Sequence, residues 1–354
     1  MAFRVIDKAA AVRIAVFFGL LAATFGVAWA VMIRMPGRSY SGELAPADAA
    51  TVALSGALQE DLSHLAHQIG ERNAGNEPLA LAHAADWLEQ ALRKSGYEPE
   101  RQTYEVNPVR TLERSESSDR RVDEVPCSNI DATLRGTSHP DEIVLVGAHY
   151  DTAPGSPGAD DNGSGTVALM ALERHFAGRP QHKTLRFVHF VNEEPPYFWS
   201  PDMGSVRYAK RSKERGEKIV AMISLESIGF YSTAEGSQSY PFPMSAFYPD
   251  RGDFIGIIGN LSSRALVREA VATFRATTAF PSEGAAMPDK TPGVGWSDQE
   301  PFWNQGYPGI MITDTALFRN PSYHHASDRY ETIDFDRMAR VVGGVERIVE
   351  HLAE

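Results

Sequence analysis

A single cysteine, Cys127, in 354 residues excludes an internal disulfide and any zinc site built from cysteine thiolates. Basic charge is also scarce: 34 Lys and Arg face 46 Asp and Glu, a net charge of −12. The first 38 residues hold Arg4, Lys8, Arg13, Arg34 and Arg38 against one acid, Asp7, so the rest of the chain is more acidic still. Such a body lacks the basic face that nucleic acid requires, and no nucleic-acid partner is expected. No internal repeat or low-complexity tract is present. What is left is a chain of ordinary globular composition, long enough for one large domain or two smaller ones.

Charge is missing altogether from residues 14–33, where Thr24 is the one polar side chain. Twenty such residues span a hydrocarbon core as a helix. Arg4, Lys8 and Arg13 before the run favour an N-terminus that stays inside, while Arg34 and Arg38 beyond it pull the other way. Ala28-Trp29-Ala30 offers a competing reading as the cleavage site of a signal peptide. The apolar run continues through Val31, Met32 and Ile33, which favours an uncleaved anchor. Both readings export the body. We therefore expect a membrane anchor over 1–35, a linker rich in Pro, Gly, Ser and Ala over 36–47, and a single domain over 48–354. The expected location is a single-pass membrane protein, held through residues 14–33, with that domain on the outer (periplasmic or extracellular) side.

Along the body, apolar spacing predicts helices over residues 48–69, 78–95, 166–176, 203–213, 262–277 and 335–352. Apolar or alternating runs predict strands over 97–106, 185–191, 219–225, 254–259 and 309–313, and one that starts at Ile143 and ends at His149. Residues 112–124 read as an exposed charged loop, and residues 282–297, rich in Gly and Pro, as another. Strands alternating with helices give an α/β class. The expected architecture is a three-layer sandwich, with a mixed, centrally parallel sheet between helices and one transmembrane helix before it.

Ligand-type side chains recur where strands stop. His149 and Asp151 end the first central strand, with Asp160 and Asp161 in the loop after it. Glu193 and Glu194 follow the next, Glu226 closes a third, and His324 lies in the loop after the last. In a parallel sheet neighbouring strands end on the same edge, so these residues can converge. Each has a plain alternative: a histidine bonded to backbone, turn chemistry before a helix, a solvated corner. Glu226 resists that reading, because an acid straight after Met222-Ile223-Ser224-Leu225 is expensive to bury without a partner. Two imidazoles with three or more carboxylates suit zinc. Five donors exceed one tetrahedral site that also keeps a water, and they suit two ions about 3.5–4 Å apart.

The chain resembles the M28 family of metallo-aminopeptidases. The resemblance rests on Gly147-Ala148-His149-Tyr150-Asp151, Gly158-Ala159-Asp160-Asp161-Asn162-Gly163-Ser164-Gly165, Asn192-Glu193-Glu194, Leu225-Glu226, Ser297-Asp298, and Tyr323-His324 with Asp328 and Glu331. It runs from about residue 50 to the C-terminus. It implies two zinc ions per chain, one on His149 and Glu226 and one on Glu194 and His324, bridged by Asp161. It also implies Glu193 as general base, Asp151 as the carboxylate that orients His149, and a cis peptide after Asp161. The implied activity is removal of N-terminal residues from peptides with a free N-terminus. Glu226 stands where many members carry aspartate, and Gln299 where histidine is frequent. Other activities on the same pattern stay open: carboxypeptidase or dipeptidase action, a glutaminyl cyclase-like transferase, or a non-catalytic binding protein. The presence of His149 speaks against the cyclase, which does without that ligand.

Overall fold

The computed structural model describes residues 8–108 and 124–354. The loop expected over 112–124 thus falls, but for Glu124, outside the described residues. Chain order is α1 (Lys8–Met32), α2 (Ala49–Leu62), α3 (Pro78–Lys94), β1 (Glu100–Val106), β2 (Val125–Leu134), β3 (His139–His149), α4 (Gly165–Phe176), β4 (Lys183–Phe190), α5 (Gly204–Glu214), β5 (Lys218–Glu226), β6 (Ile255–Asn260), α6 (Arg264–Thr277), β7 (Ser282–Met287), α7 (Gln299–Asn304), β8 (Gly309–Thr313) and α8 (Phe335–Ala353). The eight strands form one sheet in the order β1-β2-β4-β3-β5-β8-β6-β7. Its centre, β4-β3-β5-β8, is parallel, and antiparallel pairing enters at β2–β4 and β6–β8. The mixed, centrally parallel sheet expected from the sequence is therefore present.

Strand periodicity divides the core between the two faces. From β3, Val144, Val146 and Ala148 join the large cluster under α2, α3, α4, α6 and α8. Ile143 and Leu145 point the other way, with Phe190, Tyr208 and Phe302 under α5 and α7. Burial of both faces explains why the central strands read as unbroken apolar runs. Residues 282–287, expected in a loop, instead form the edge strand β7 beside β6. Its sequence Ser-Glu-Gly-Ala-Ala-Met carries little strand signal, because its packing is backbone approach: a Cβ on Gly284 would fall 2.7 Å from Val271 and 2.9 Å from Met35.

α1 is long and apolar enough to cross a membrane by length and composition, and none of its residues is buried. Its end rests on the body. Arg264 Nε donates to Val31 O at 2.6 Å and Arg268 Nη1 to Arg34 O at 2.7 Å, while Met32 and Ile33 pack beside Ala285 and Met287.

Candidate active site

The parallel centre delivers its chemistry by register. His149 on β3 stands opposite Phe190 on β4, and Glu226 on β5 opposite Thr313 on β8. The strand ends therefore lie on one edge, and Glu193 and Glu194 follow β4 at that level. The turn from β3 into α4 needs a bare backbone, since a Cβ on Gly165 would sit 2.5 Å from Leu225 O. The Asp161–Asn162 peptide is cis, as the resemblance implies. Asn162 ties this turn to β5: its Nδ2 donates to Leu225 O at 2.8 Å, and its Oδ1 accepts from Gly165 N and Ser227 N.

All seven residues singled out from the sequence meet. His149 Nε2 lies 3.3 Å from Glu226 Oε2, 3.5 Å from Asp161 Oδ1 and 3.8 Å from Glu193 Oε2. His324 Nε2 lies 3.0 Å from Glu194 Oε2 and 3.1 Å from Asp161 Oδ2. Asp161 thus turns one oxygen to each histidine. Two clusters result, His149-Glu193-Glu226 and Asp161-Glu194-His324, each with donor atoms within 4.8 Å of one another. Glu193 falls geometrically with the first cluster, so position alone does not separate a base from a ligand there.

Both ring nitrogens of His149, Nε2 of His324 and Oδ2 of Asp161 are buried without a hydrogen-bond partner among the described residues. Unpaired buried donors and acceptors of this kind are costly. Lone pairs from imidazole and carboxylate converging on a shared point fit a borderline divalent cation such as zinc. Burial alone would push His324 down, but Asp161 and Glu194 raise it to about 10. Burial and the neighbouring Asp161 push Glu194 up to about 8, against the pull of His324. Burial also lifts Glu193 well above the usual range, with His149 opposing and Glu226 and Glu194 reinforcing. Burial pushes Asp161 up too, but the two histidines more than offset it and hold the carboxyl low.

A supporting shell fixes each donor. Asp151 lies 3.5 Å from His149 Nδ1, and its two oxygens accept from the backbone N–H groups of Glu193 and Glu194, both at 3.1 Å. Its contact with two strand ends at once goes beyond the orienting role expected for it. Glu194 Oε1 accepts from Ala153 N at 3.1 Å, which leaves Oε2 for the site. Ser297 Oγ donates to Glu226 Oε2 at 2.6 Å. Asp328 accepts from the N–H groups of Asp160 and Asp161 at 2.9 and 3.1 Å. Ser297 and Asp328 stood in the quoted motifs without a role, and only the fold shows what they hold.

Arg72 is another residue whose part the sequence did not disclose. It is fully buried, and its guanidinium donates to four carbonyls: Tyr150 O at 2.5 Å, Pro157 O at 2.8 Å, Gly70 O at 2.9 Å and Gly158 O at 3.1 Å. It stitches the loop after β3 to Gly70, in the segment between α2 and α3. Methionine at this position keeps volume but leaves those carbonyls unsatisfied. Arg72→Met is expected to lower stability by at least about 3 kcal/mol, since each unmet buried group costs about 1–3 kcal/mol. Urea unfolding at unchanged m-value would measure it, and a loss under 1 kcal/mol would refute the role.

Beside Glu226 and Tyr323 opens an apolar cavity of about 110 Å³, walled by Trp296 and Phe318, Met311, Ile258 and Met244. Trp296 and Phe318 stack at 6.4 Å between centroids. Tyr240, Met244 and Tyr248 bring the long link over 232–251 into this wall. None of the cavity's lining residues comes from 195–204. That loop packs on the protein's own surface, with Tyr197 buried and Asp202 O accepting from Tyr104 Oη of β1.

Converging carboxylates and histidines on the carboxyl edge of a mixed α/β sheet define the class as a metal-dependent hydrolase. The chain matches the model of peptidase family M28 over residues 129–349, and it belongs to that family. A protein of Escherichia coli (strain K12), YfbL, described as uncharacterized, is 34% identical over 297 residues, 81% of this chain and 85% of that one. A probable leucine aminopeptidase of Trichophyton verrucosum is 27% identical over 224 residues, 59% of this chain, and the match spans about half of that relative's length (53%). Among solved structures, BSAP, a zinc aminopeptidase from Bacillus subtilis, superposes with a TM-score of 0.65 at 17% identity, over 85% of this chain and 95% of that one. A glutaminyl cyclase of Fimbriiglobus ruber reaches 0.60 at 18% identity, over 90% of this chain and 99% of that one. These two likenesses speak for the fold.

Proposed function

We propose that this chain is an exported, membrane-anchored zinc aminopeptidase that removes N-terminal residues from peptides. The observation that carries the reading is the pair of donor clusters joined by Asp161, in which both ring nitrogens of His149 and Nε2 of His324 have no hydrogen-bond partner among the described residues. His149 and Glu226 would hold one ion, Glu194 and His324 the other, and Asp161 would bridge them. Bound there, the metal pair would lower the pKa of a water and polarise the scissile carbonyl. Glu193 takes the proton of the attacking water and returns it to the leaving amine. Asp151 keeps His149 and the Glu193-Glu194 backbone in place through the contacts described above. The surplus of carboxylates in the site favours a substrate's α-ammonium, which supports exopeptidase over endopeptidase action.

The apolar cavity beside Glu226 supports a preference for a large apolar first residue. Substrates whose N-terminal residue is leucine or phenylalanine should exceed those that begin with glycine in kcat/KM by about 10–200-fold or more, the value of one or more methylenes in an apolar pocket. A flat profile would remove the cavity from substrate recognition. The activity itself is tested with free, N-blocked and C-blocked forms of one peptide. Cleavage of free and C-blocked forms alone supports an aminopeptidase. Cleavage that requires a free C-terminus points to a carboxypeptidase, and cyclisation of an N-terminal glutamine to a cyclase.

A further inference from the structure

Residues 240–248, Tyr-Pro-Phe-Pro-Met-Ser-Ala-Phe-Tyr, carry no charge. They form a protruding loop with one short turn at Met244–Ala246. Phe242 at its tip is 96% exposed, more than any other large apolar side chain among the described residues. With Pro243 exposed beside it and Phe247 half-buried behind, the tip is a contiguous apolar surface, the kind that marks a partner or membrane contact. Tyr240 and Tyr248 stack at 5.7 Å where the loop leaves the body, and their hydroxyls are met by Pro249 O and Gly284 O. Tyrosines, amphipathic rings with one polar end, are enriched where protein meets the headgroup region.

The neighbour of this loop says what covers it. Phe247 lies 5.9 Å, ring to ring, from Phe25 of α1. Phe25 is eight residues before Ile33, so the contact falls about 12 Å along the helix from the end of the apolar run. If residues 14–33 cross the bilayer, the loop meets the helix inside it. A shallower placement changes little: from Lys8 to Phe25 the helix measures about 26 Å, less than a hydrocarbon core of about 30 Å. In either placement Phe247 stands inside the hydrocarbon or within about 4 Å of its edge.

We propose that residues 240–248 are a second membrane contact, a foot whose Phe242 tip is immersed in the lipid beside α1. The occupant of the exposed apolar surface is the bilayer itself. The foot, with the Arg264 and Arg268 grip on the end of α1, fixes how the domain stands. Because Tyr240, Met244 and Tyr248 also wall the apolar cavity, the cavity is held close to the lipid surface. The favoured substrates are then peptides whose N-termini lie at the membrane surface.

The inference rests on the reading of α1 as an anchor, and its test separates the two. The full chain with Cys127→Ser is reconstituted in phosphatidylcholine–phosphatidylglycerol vesicles and spin-labelled at Leu21→Cys, Phe242→Cys or Leu79→Cys, one at a time. Accessibility to oxygen and to a water-soluble nickel chelate is then read. Leu79, 75% exposed on α3, serves as the aqueous reference. The expected result is a lipid signature at 21 and 242 and an aqueous one at 79, with oxygen exceeding nickel accessibility several-fold at 242. Lipid at 21 with water at 242 overturns the foot alone. Water at both overturns the anchor and the foot with it. Phe242→Trp, read as the emission it adds over the parent chain with its five native tryptophans, repeats the measurement without a cysteine: brominated lipid should quench that added emission, and an unquenched increment overturns the foot.

Discussion

Glu193→Gln is expected to cut kcat by about 10²–10⁴, the usual range for losing a positioned general base, while the metal content stays at the wild-type level. Glutamine keeps the size of the side chain and its place 6% exposed at the carboxyl end of β4. What it loses is the capacity to accept a proton. Without metal, burial lifts the Glu193 carboxyl well above the usual range, with His149 opposing and Glu226 and Glu194 reinforcing. Because Glu193 clusters with His149 and Glu226, it could instead serve as a ligand. The two roles part on metal analysis. A base leaves the stoichiometry untouched, whereas a ligand takes one equivalent with it. Full activity in Glu193→Gln would sink the mechanism, and lost activity with one lost equivalent would reassign Glu193 to the metal.

The legible part of this protein was the part where polar groups interrupt apolar runs. Glu226 and His149 stand at the ends of strands buried on both faces, and Glu193 and Glu194 just beyond another, so their abrupt polarity marked them without any structure. On the antiparallel flank β1 was legible as an alternating run, but its neighbour β2 was not. β2 places Ser128, Asn129 and Asp131 in the interior, so it shows neither an apolar run nor alternation. It is nonetheless satisfied, because α5 answers it: Tyr208 Oη and Arg211 Nη2 donate to Asp131 Oδ2, and Asn129 Nδ2 donates to Gly204 O. A strand held by partners 75 to 80 residues away carries no local signal. β7 failed for the opposite reason, since small residues bury backbone and leave no side-chain periodicity to read. Arg72 shows the same limit at the site, because its four acceptors are main-chain carbonyls, which look alike in every sequence.

Chelation should reverse the way the protein's stability depends on pH. Without metal, burial pushes Glu194 and Asp328 to about 8, Asp298 to about 7 and Asp160 to about 6. The folded state then keeps protons that the unfolded chain releases near pH 4. Carboxyls raised in this way contribute stability at low pH and lose it as pH climbs through 6 to 8. His324, raised to about 10, acts in the same direction: its contribution is complete below about 6.5 and fades as pH rises toward 10. Asp161 is shifted downward, so its contribution is already full above pH 4 and does not compete in this window. The Tm of the chelated protein is therefore expected to fall between pH 5 and pH 9. Metal must displace the protons held by Glu194 and His324 to bind, so its affinity rises over the same range. The gap between metal-loaded and chelated protein should widen with pH. At free zinc about 1,000 times Kd it should approach about 6 °C, from about 4 kcal/mol of linkage at about 1.5 °C for each kcal/mol in a domain of about 300 residues. Differential scanning fluorimetry with and without chelator, at half-unit pH steps, reads both curves. A chelated Tm that is flat or rising, or a gap that closes with pH, would show that protons and metal do not compete for this cluster.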